Sequence, residues 1–242
     1  MLSQEAKKFY NQTIQADSEY EKRRWFKNDW QKAGYEMTKC SLEKSLPTSP
    51  IDSILEVGPG AGTWTKLLLS RCPKASLKLV DISKEMLALA RRNLSKFKQI
   101  DFEVADFLQF RPRQNYSLFF SVRALEYMPD KKRVAEQIMS CLKKGGEGII
   151  ITKTPHYWRA KIRGRTVSAL HRGQISPFKL AKIFYQAGAR DIVIKPVVCI
   201  FPLFRSIRLN WWLYKIFAHR RLNWLSFCFS ESYLIKFKKG GF

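Results

Sequence analysis

The stretch Ile51-Asp-Ser-Ile-Leu-Glu-Val-Gly-Pro-Gly-Ala-Gly-Thr-Trp-Thr65 decides how the rest of the chain is organised. Ile51, Ile54, Leu55 and Val57 form a short β-prone apolar run, the pattern of a buried strand. Gly58, Gly60 and Gly62 then alternate, and a helical pattern opens at about Thr63. Glycines at a strand-to-helix turn let the backbone bend with positive φ and let a ligand approach closely. The free amides of the helix start add a partial positive charge suited to a carboxylate or a phosphate.

The spacing is Gly-x-Gly-x-Gly, unlike the Gly-x-Gly-x-x-Gly of dinucleotide-binding folds, and Glu56 stands two residues before the first glycine. The stretch resembles motif I of the class I S-adenosylmethionine-dependent methyltransferases, Glu/Asp-x-Gly-x-Gly-x-Gly, at every fixed position. The resemblance implies a doubly wound, Rossmann-like seven-stranded α/β sheet, with S-adenosylmethionine as cofactor and Glu56, Gly58, Gly60 and Gly62 at its site.

Downstream residues extend it. Ala75 to Val80 reads as a second strand with Asp81 at its end, where ligands bind in open α/β sheets. An acid there can accept both hydroxyls of a ribose, and the resemblance assigns Asp81, with Ile82 beside it, to that role. The alternative is a cap for the next helix, for which Ser83 is better placed. A helix follows from Ser83 to Lys96, then a third strand from Ile100 to Ala105. In the resembled family an acid and an apolar residue here meet the adenine, and Asp106 and Phe107 match that pair.

Tyr116 to Val122 is the fourth strand, leading into Ser121-Val-Arg-Ala-Leu-Glu-Tyr-Met-Pro-Asp130. The Asn/Asp-Pro-Pro-Tyr/Phe of enzymes that methylate exocyclic amines on bases is absent, and no cysteine stands near the strand to attack a pyrimidine. The pattern resembles the type 11, small-molecule and lipid branch. Ser121 ends this strand beside the expected cofactor. For a hydroxyl acceptor Glu126 is a candidate general base, unless it is simply a helix-start acid, with Arg123 and Tyr127 as acceptor or head-group contacts. Lys131 to Leu142 reads as a helix stopped at Lys143-Lys-Gly-Gly146, before a fifth strand from Glu147 to Thr152. His156 follows that strand and is a second candidate base, with Tyr157 as a further acceptor contact. Strands alternating with helices predict a parallel, doubly wound sheet. A helix opening at Ser176-Pro177 and ending near Gly188, a sixth strand from Asp191 to Val198 and a last, antiparallel strand from Ser232 to Lys238 complete it.

Two regions fall outside the resemblance. Residues 1–46 read as an N-terminal helical cap, amphipathic and rich in aromatics, ahead of a core at 47–198. Residues 199–230 form an insertion ahead of the last strand and tail at 231–242. The insertion carries Trp211, Trp212, Tyr214, Trp224 and many phenylalanines, with Arg205, Arg208, Lys215 and His219 at helical spacing. An aromatic face against a basic one suits an anionic membrane surface contacted through residues 200–229. It also suits a lid packed over a greasy substrate, or single-stranded RNA stacking between basic side chains.

Charge and composition set bounds on partners. The 242 residues carry a formal net charge of +24. From Lys153 to Phe242 there are 18 Lys/Arg against Asp191 and Glu231, so +16 of that total sits in the last third. A field of that size suits an anionic partner, either nucleic acid or a membrane surface, the alternative being a basic proteome and a soluble surface. Cys40, Cys72, Cys141, Cys199 and Cys228 show no metal-ligand spacing, so no structural metal is expected. No apolar stretch approaches a membrane span, which predicts a cytoplasmic protein, peripheral to the membrane if the insertion binds lipid. The expected function is methyl transfer from S-adenosylmethionine to a hydrophobic or lipid-linked small molecule at the cytoplasmic membrane face. An RNA methyltransferase and a non-catalytic binding protein that keeps the fold are the alternatives; the oligomeric state stays open.

Overall fold

The computed structural model describes residues 2–16, 19–155, 173–199, 206–217 and 230–241. Seven strands form one sheet in the order β3-β2-β1-β4-β5-β7-β6. They are β1 (Ser53–Val57), β2 (Ser76–Asp81), β3 (Ile100–Val104), β4 (Tyr116–Val122), β5 (Leu142–Lys153), β6 (Ala189–Cys199) and β7 (Ser230–Lys239). The first five pair in parallel, and β7 runs antiparallel between β5 and β6. The chain steps outward from β1 to β2 and β3, then returns to β4 on the other side of β1. The C-terminal ends of β1 and β4 therefore diverge into a crevice, the usual ligand site in such sheets.

The helices are α1 (Leu2–Ala16), α2 (Tyr20–Phe26), α3 (Asp29–Glu43), α4 (Thr63–Arg71), α5 (Lys84–Asn93), α6 (Lys131–Cys141), α7 (Pro177–Gln186) and α8 (Ile207–Phe217). Their starts follow local chemistry. Ser83 Oγ accepts from Met86 N at 3.1 Å, Asp130 from Arg133 N at 3.0 Å and Ser176 Oγ from Lys179 N at 3.3 Å. Each satisfies an amide that the first helical turn leaves unpaired. Gly62, at φ 89, occupies the position before α4.

Every residue of β1 is buried, because both faces of the sheet are covered. Ile54 points into a core layer with Leu68 of α4, Leu87 of α5 and Met37 and Leu42 of α3. Leu55 points the other way, toward Val134 and Ile138 of α6 and Leu180 and Phe184 of α7. That alternation is the period-two geometry of a strand. No helix among the described residues is long and apolar enough to cross a membrane.

One boundary differs from the sequence expectation. The Lys143-Lys-Gly-Gly146 segment does not stop α6; β5 begins at Leu142, directly after the helix. Tyr116 pairs with Leu142, Leu118 pairs with Glu147, and the register shifts between them. The glycines serve this bulge. Gly145 has φ 72, and a Cβ on Gly146 would lie 2.9 Å from Lys143 O and 3.1 Å from Tyr116 O. The extra residues loop out of the strand, with glycine where the backbone takes a positive φ and where it approaches neighbouring carbonyls closely.

Of the insertion, α8 is described. It packs on α3 and β6, with Tyr214 buried and its hydroxyl 2.8 Å from Ser41 Oγ. Trp211 stacks on Tyr214 at 5.2 Å, whereas Trp212 is 58% exposed, with Arg208 and Lys215 also exposed.

Candidate active site

A cavity opens at the C-terminal ends of β1, β2, β3 and β4, roofed by α1 and α2. Gly58, Pro59, Gly60 and Ala61 form its floor. Gly58 and Gly60 have φ of 70 and 58, the left-handed region that glycine enters without a steric penalty. A Cβ on Gly58 would lie 2.4 Å from Ala124 Cβ across the turn, whereas one on Gly60 would meet nothing within 4 Å. The loop thus presses against the β4 exit at Gly58 and leaves space at Gly60.

Two carboxylates stand along one wall. Asp81 ends β2 and accepts from Ser83 N at 2.9 Å; Asp106 follows β3 and accepts from Leu108 N at 3.0 Å. Burial pushes the Asp81 carboxyl up to about 6, against the pull of the Ser83, Ile82 and Gly60 amides. Ile82 and Phe107 line the same wall, and Phe107 also packs against Phe119 at 5.6 Å. The lining fits an adenosine: an acid to accept from a diol, a second acid to accept from an exocyclic amine, apolar flanks for the base, and an open glycine turn.

Three of the residues expected at the cofactor stand one layer behind the cavity. Glu56 is 2% exposed and accepts from Thr65 Oγ1 at 2.8 Å, tying β1 to the first turn of α4. Burial pushes its carboxyl up to about 8; the Thr65 bond opposes this and the charge of Asp81 adds to it. Ser121, fully buried, donates to Val57 O at 2.8 Å and braces β4 against β1. Gly62 faces Leu94, where a Cβ would lie 2.8 Å from Leu94 Cδ1. These residues shape the turn rather than its open surface.

Of the expected acceptor contacts, Arg123 and Tyr127 line the cavity at the β4 exit. Arg123 has φ 64, and its amide donates to Ile151 O at 2.8 Å. Its Nε donates to Glu126 Oε1 at 2.9 Å, and Thr152 Oγ1 donates to Glu126 Oε2 at 3.1 Å. Glu126 is fully buried behind this pair. Burial alone would raise its carboxyl, but the Arg123 guanidinium reverses the shift and holds it below the ordinary value. A carboxylate so held is a weak proton acceptor and a firm anchor for Arg123. His156 and Tyr157 lie outside the described residues.

The roof was not resolved residue by residue from the sequence. Ala6 and Tyr10 of α1, with Tyr20, Glu21, Arg24 and Trp25 of α2, line the cavity. Trp25 meets Trp64 of α4 edge-on at 5.4 Å, and Thr63 Oγ1 donates to Glu21 Oε2. Asn11 Oδ1 accepts from Ser83 Oγ at 2.7 Å, which seats α1 on the start of α5. The available signal was the four-residue spacing of Tyr20 and Arg24, which sets both on one face of a helix.

Comparisons with known proteins agree with this geometry. Residues 54–146 match the family model described as a methyltransferase domain. The chain is 33% identical over 95 residues to malonyl-[acyl-carrier protein] O-methyltransferase 1 of Ilyobacter polytropus, covering 39% of this chain and 35% of that one. It is 29% identical over 113 residues to trans-aconitate 2-methyltransferase of Escherichia coli O157:H7, covering 47% of this chain and 43% of the relative. The matches thus span less than half the length of either relative. Among solved structures, N-methyltransferase NodS from Bradyrhizobium japonicum WM9, in complex with S-adenosylhomocysteine, superposes with a TM-score of 0.62 at 14% identity. That match covers 96% of this chain and 99% of NodS. Residues 54–146 thus match a methyltransferase domain, and the strand order with its glycine turn and two strand-end acids is similar in fold to methyltransferases that bind S-adenosylmethionine or S-adenosylhomocysteine.

Proposed function

We propose that this chain transfers a methyl group from S-adenosylmethionine to a small organic acceptor with an apolar body. One observation carries the reading. The cavity joins an adenosine-matched wall, Asp81 and Asp106, to an aromatic end under α1 and α2, so that cofactor and acceptor share one roofed space. A roof of Tyr10, Tyr20 and Trp25 suits a compact acceptor better than a polynucleotide strand.

When bound, S-adenosylmethionine supplies a sulfonium methyl open to in-line displacement. The chain's own residues then position and shield. Asp81 accepts from the ribose hydroxyls, Asp106 from the adenine amine, and the Gly58–Gly60 turn lets the ligand approach the backbone. Such positioning contributes roughly 7–11 kcal/mol of the barrier in oriented reactions. Arg123 and Tyr127 contact the acceptor, with Glu126 fixing Arg123 from behind. His156 and Tyr157 are assigned as proton acceptor and acceptor contact from their place in the sequence after β5.

We place the reaction at the cytoplasmic membrane face, with a hydrophobic or lipid-linked acceptor. Exposed Trp212 between exposed Arg208 and Lys215 on α8 supports this, as does the net charge of +24. Tryptophan favours the interface, and basic side chains meet anionic headgroups. Two experiments test the proposal. Labelled methyl from S-adenosylmethionine, offered to a solvent extract and to total RNA, should enter the extract; label in RNA alone would refute the small-molecule reading. Sedimentation with phosphatidylglycerol vesicles should carry the wild type down and lose Trp212→Ala/Lys215→Glu; equal sedimentation of both would refute the role of α8.

A further inference from the structure

The aromatic end of the cavity holds more charge chemistry than an apolar acceptor needs. Arg24 enters from α2, its Nη1 donating to Tyr20 Oη at 2.7 Å and its guanidinium 5.2 Å from the Trp25 ring. Among the described residues no carboxylate pairs with it. Glu21, one turn earlier on α2, is engaged by Thr63. Arg123 offers the contrast in the same cavity, since it has Glu126.

Beside Arg24 stands a phenol pair. Tyr10 Oη and Tyr127 Oη are 2.8 Å apart, with the rings edge to face at 5.7 Å. Two phenols carry two protons, and their mutual bond uses one. The other remains for a ligand, since burial raises both phenols and keeps them protonated. Arg24, Tyr10 and Tyr127 all line the cavity. A guanidinium without an acid partner, facing a partly desolvated space, is costly until an anion joins it. A cationic or neutral ligand group would leave both Arg24 and the free phenol proton unmatched.

We propose that Arg24 and the Tyr10–Tyr127 phenol pair bind a carboxylate or phosphate on the methyl acceptor, so that the acceptor is an acidic molecule. The proposal rests on the methyltransferase reading and narrows its acceptor. Position supports the acceptor over the cofactor as the source of the anion. Tyr127 lies on the turn after β4, whereas Asp81 and Asp106 draw the adenosine toward β2 and β3. The cofactor has a carboxylate of its own, however, and the test must separate the two.

The full chain, loaded with S-adenosylhomocysteine, is titrated calorimetrically with benzoate and with inorganic phosphate. Separately, the free chain is titrated with S-adenosylhomocysteine and with 5′-methylthioadenosine, which lacks the amino-acid carboxylate. The expected result is saturable binding of at least one anion to wild type. Arg24→Gln should weaken it by roughly tenfold or more, and Arg24→Lys by less. Affinity for both nucleosides should stay within about twofold, with far-ultraviolet circular dichroism confirming the fold of each variant. The proposal is overturned if the loaded wild type binds neither anion. It is also overturned if Arg24→Gln weakens S-adenosylhomocysteine tenfold but spares 5′-methylthioadenosine, because Arg24 would then read the cofactor's carboxylate. Failure of folded wild type to bind either nucleoside would sink the cofactor reading; anion titration of the free chain would still decide the receptor.

Discussion

Asp81→Asn isolates the charge at the cofactor wall while keeping the shape of the side chain. Asp81 Oδ1 accepts from Ser83 N at 2.9 Å, a bond that an asparagine oxygen can retain, so the turn after β2 should persist. A vicinal diol donates two hydrogen bonds to a carboxylate, whereas asparagine presents one acceptor and one donor. Losing a hydrogen bond to a charged group costs about 1.5–3 kcal/mol, which weakens binding roughly 10- to 150-fold. A second signature follows from the carboxyl's shift to about 6. A bound diol favours the ionised form, so affinity for S-adenosylhomocysteine should rise with pH up to about 6 and then level off. The asparagine variant should show no such step. Calorimetric titration at several pH values on either side of 6 measures both quantities. A variant that binds within about threefold of wild type, with the same pH profile, would refute the ribose assignment.

Other perturbations probe the frame around the site. The Glu56 carboxyl stands at about 8 in the folded chain against an ordinary 4.5. Its contribution to stability is full below 4.5 and is lost as pH rises through about 8. Glu56→Gln should therefore match wild type below pH 4.5 and exceed it above about 8, by on the order of 3–5 kcal/mol, in urea melts. Gly58→Ala combines a positive φ with a contact 2.4 Å from Ala124 Cβ. It should lose ~2–5 kcal/mol in the same assay, whereas Gly60→Ala should lose only ~1–2 kcal/mol. Tyr214→Phe removes the buried bond to Ser41 and should lower stability by about 1 kcal/mol, with no change in S-adenosylhomocysteine binding; unchanged stability would mean that α8 is not anchored through it.

Much of the frame was legible because it depends on local patterns. The run Ile54–Val57, the glycine turn and the capped start at Ser83 each follow from chemistry within a few residues. Asp81 and Asp106 were legible as strand-end acids that share one cavity, because a parallel sheet sets its strand ends in one crevice. The roof was harder to read. Periodicity shows which face of a helix is apolar, but not what that face covers, so α1 and α2 were expected as a cap without Arg24 or Tyr10 at the cavity. Glu56 and Ser121 show the opposite limit, since nearness in sequence does not separate a residue touching the cavity from one bracing its wall. The glycines at 145 and 146 form a strand bulge where the same letters commonly end a helix, a choice made by the pairing of Tyr116 with Leu142.

Arg123 is where frame and site meet, and it carries a prediction that separates the two. An L-residue at φ 64 costs about 1–2 kcal/mol relative to an ordinary helical or extended backbone. Such strain persists where surroundings over-determine it, and it concentrates at functional sites. Here Ile151 O holds the amide, and fully buried Glu126 holds the guanidinium. Arg123→Gly relieves the backbone but leaves the Glu126 charge without a partner, a loss of roughly 3–5 kcal/mol for a buried pair broken on one side. Net destabilisation of ~1–4 kcal/mol should follow in denaturant melts. Adding Glu126→Gln removes the stranded charge and should restore most of that stability. If Arg123 contacts the acceptor, the double variant should still bind S-adenosylhomocysteine and still fail to transfer methyl. Recovery of transfer along with stability would reduce Arg123 to a structural residue. A single glycine variant as stable as wild type would show that the buried pair contributes nothing to the fold.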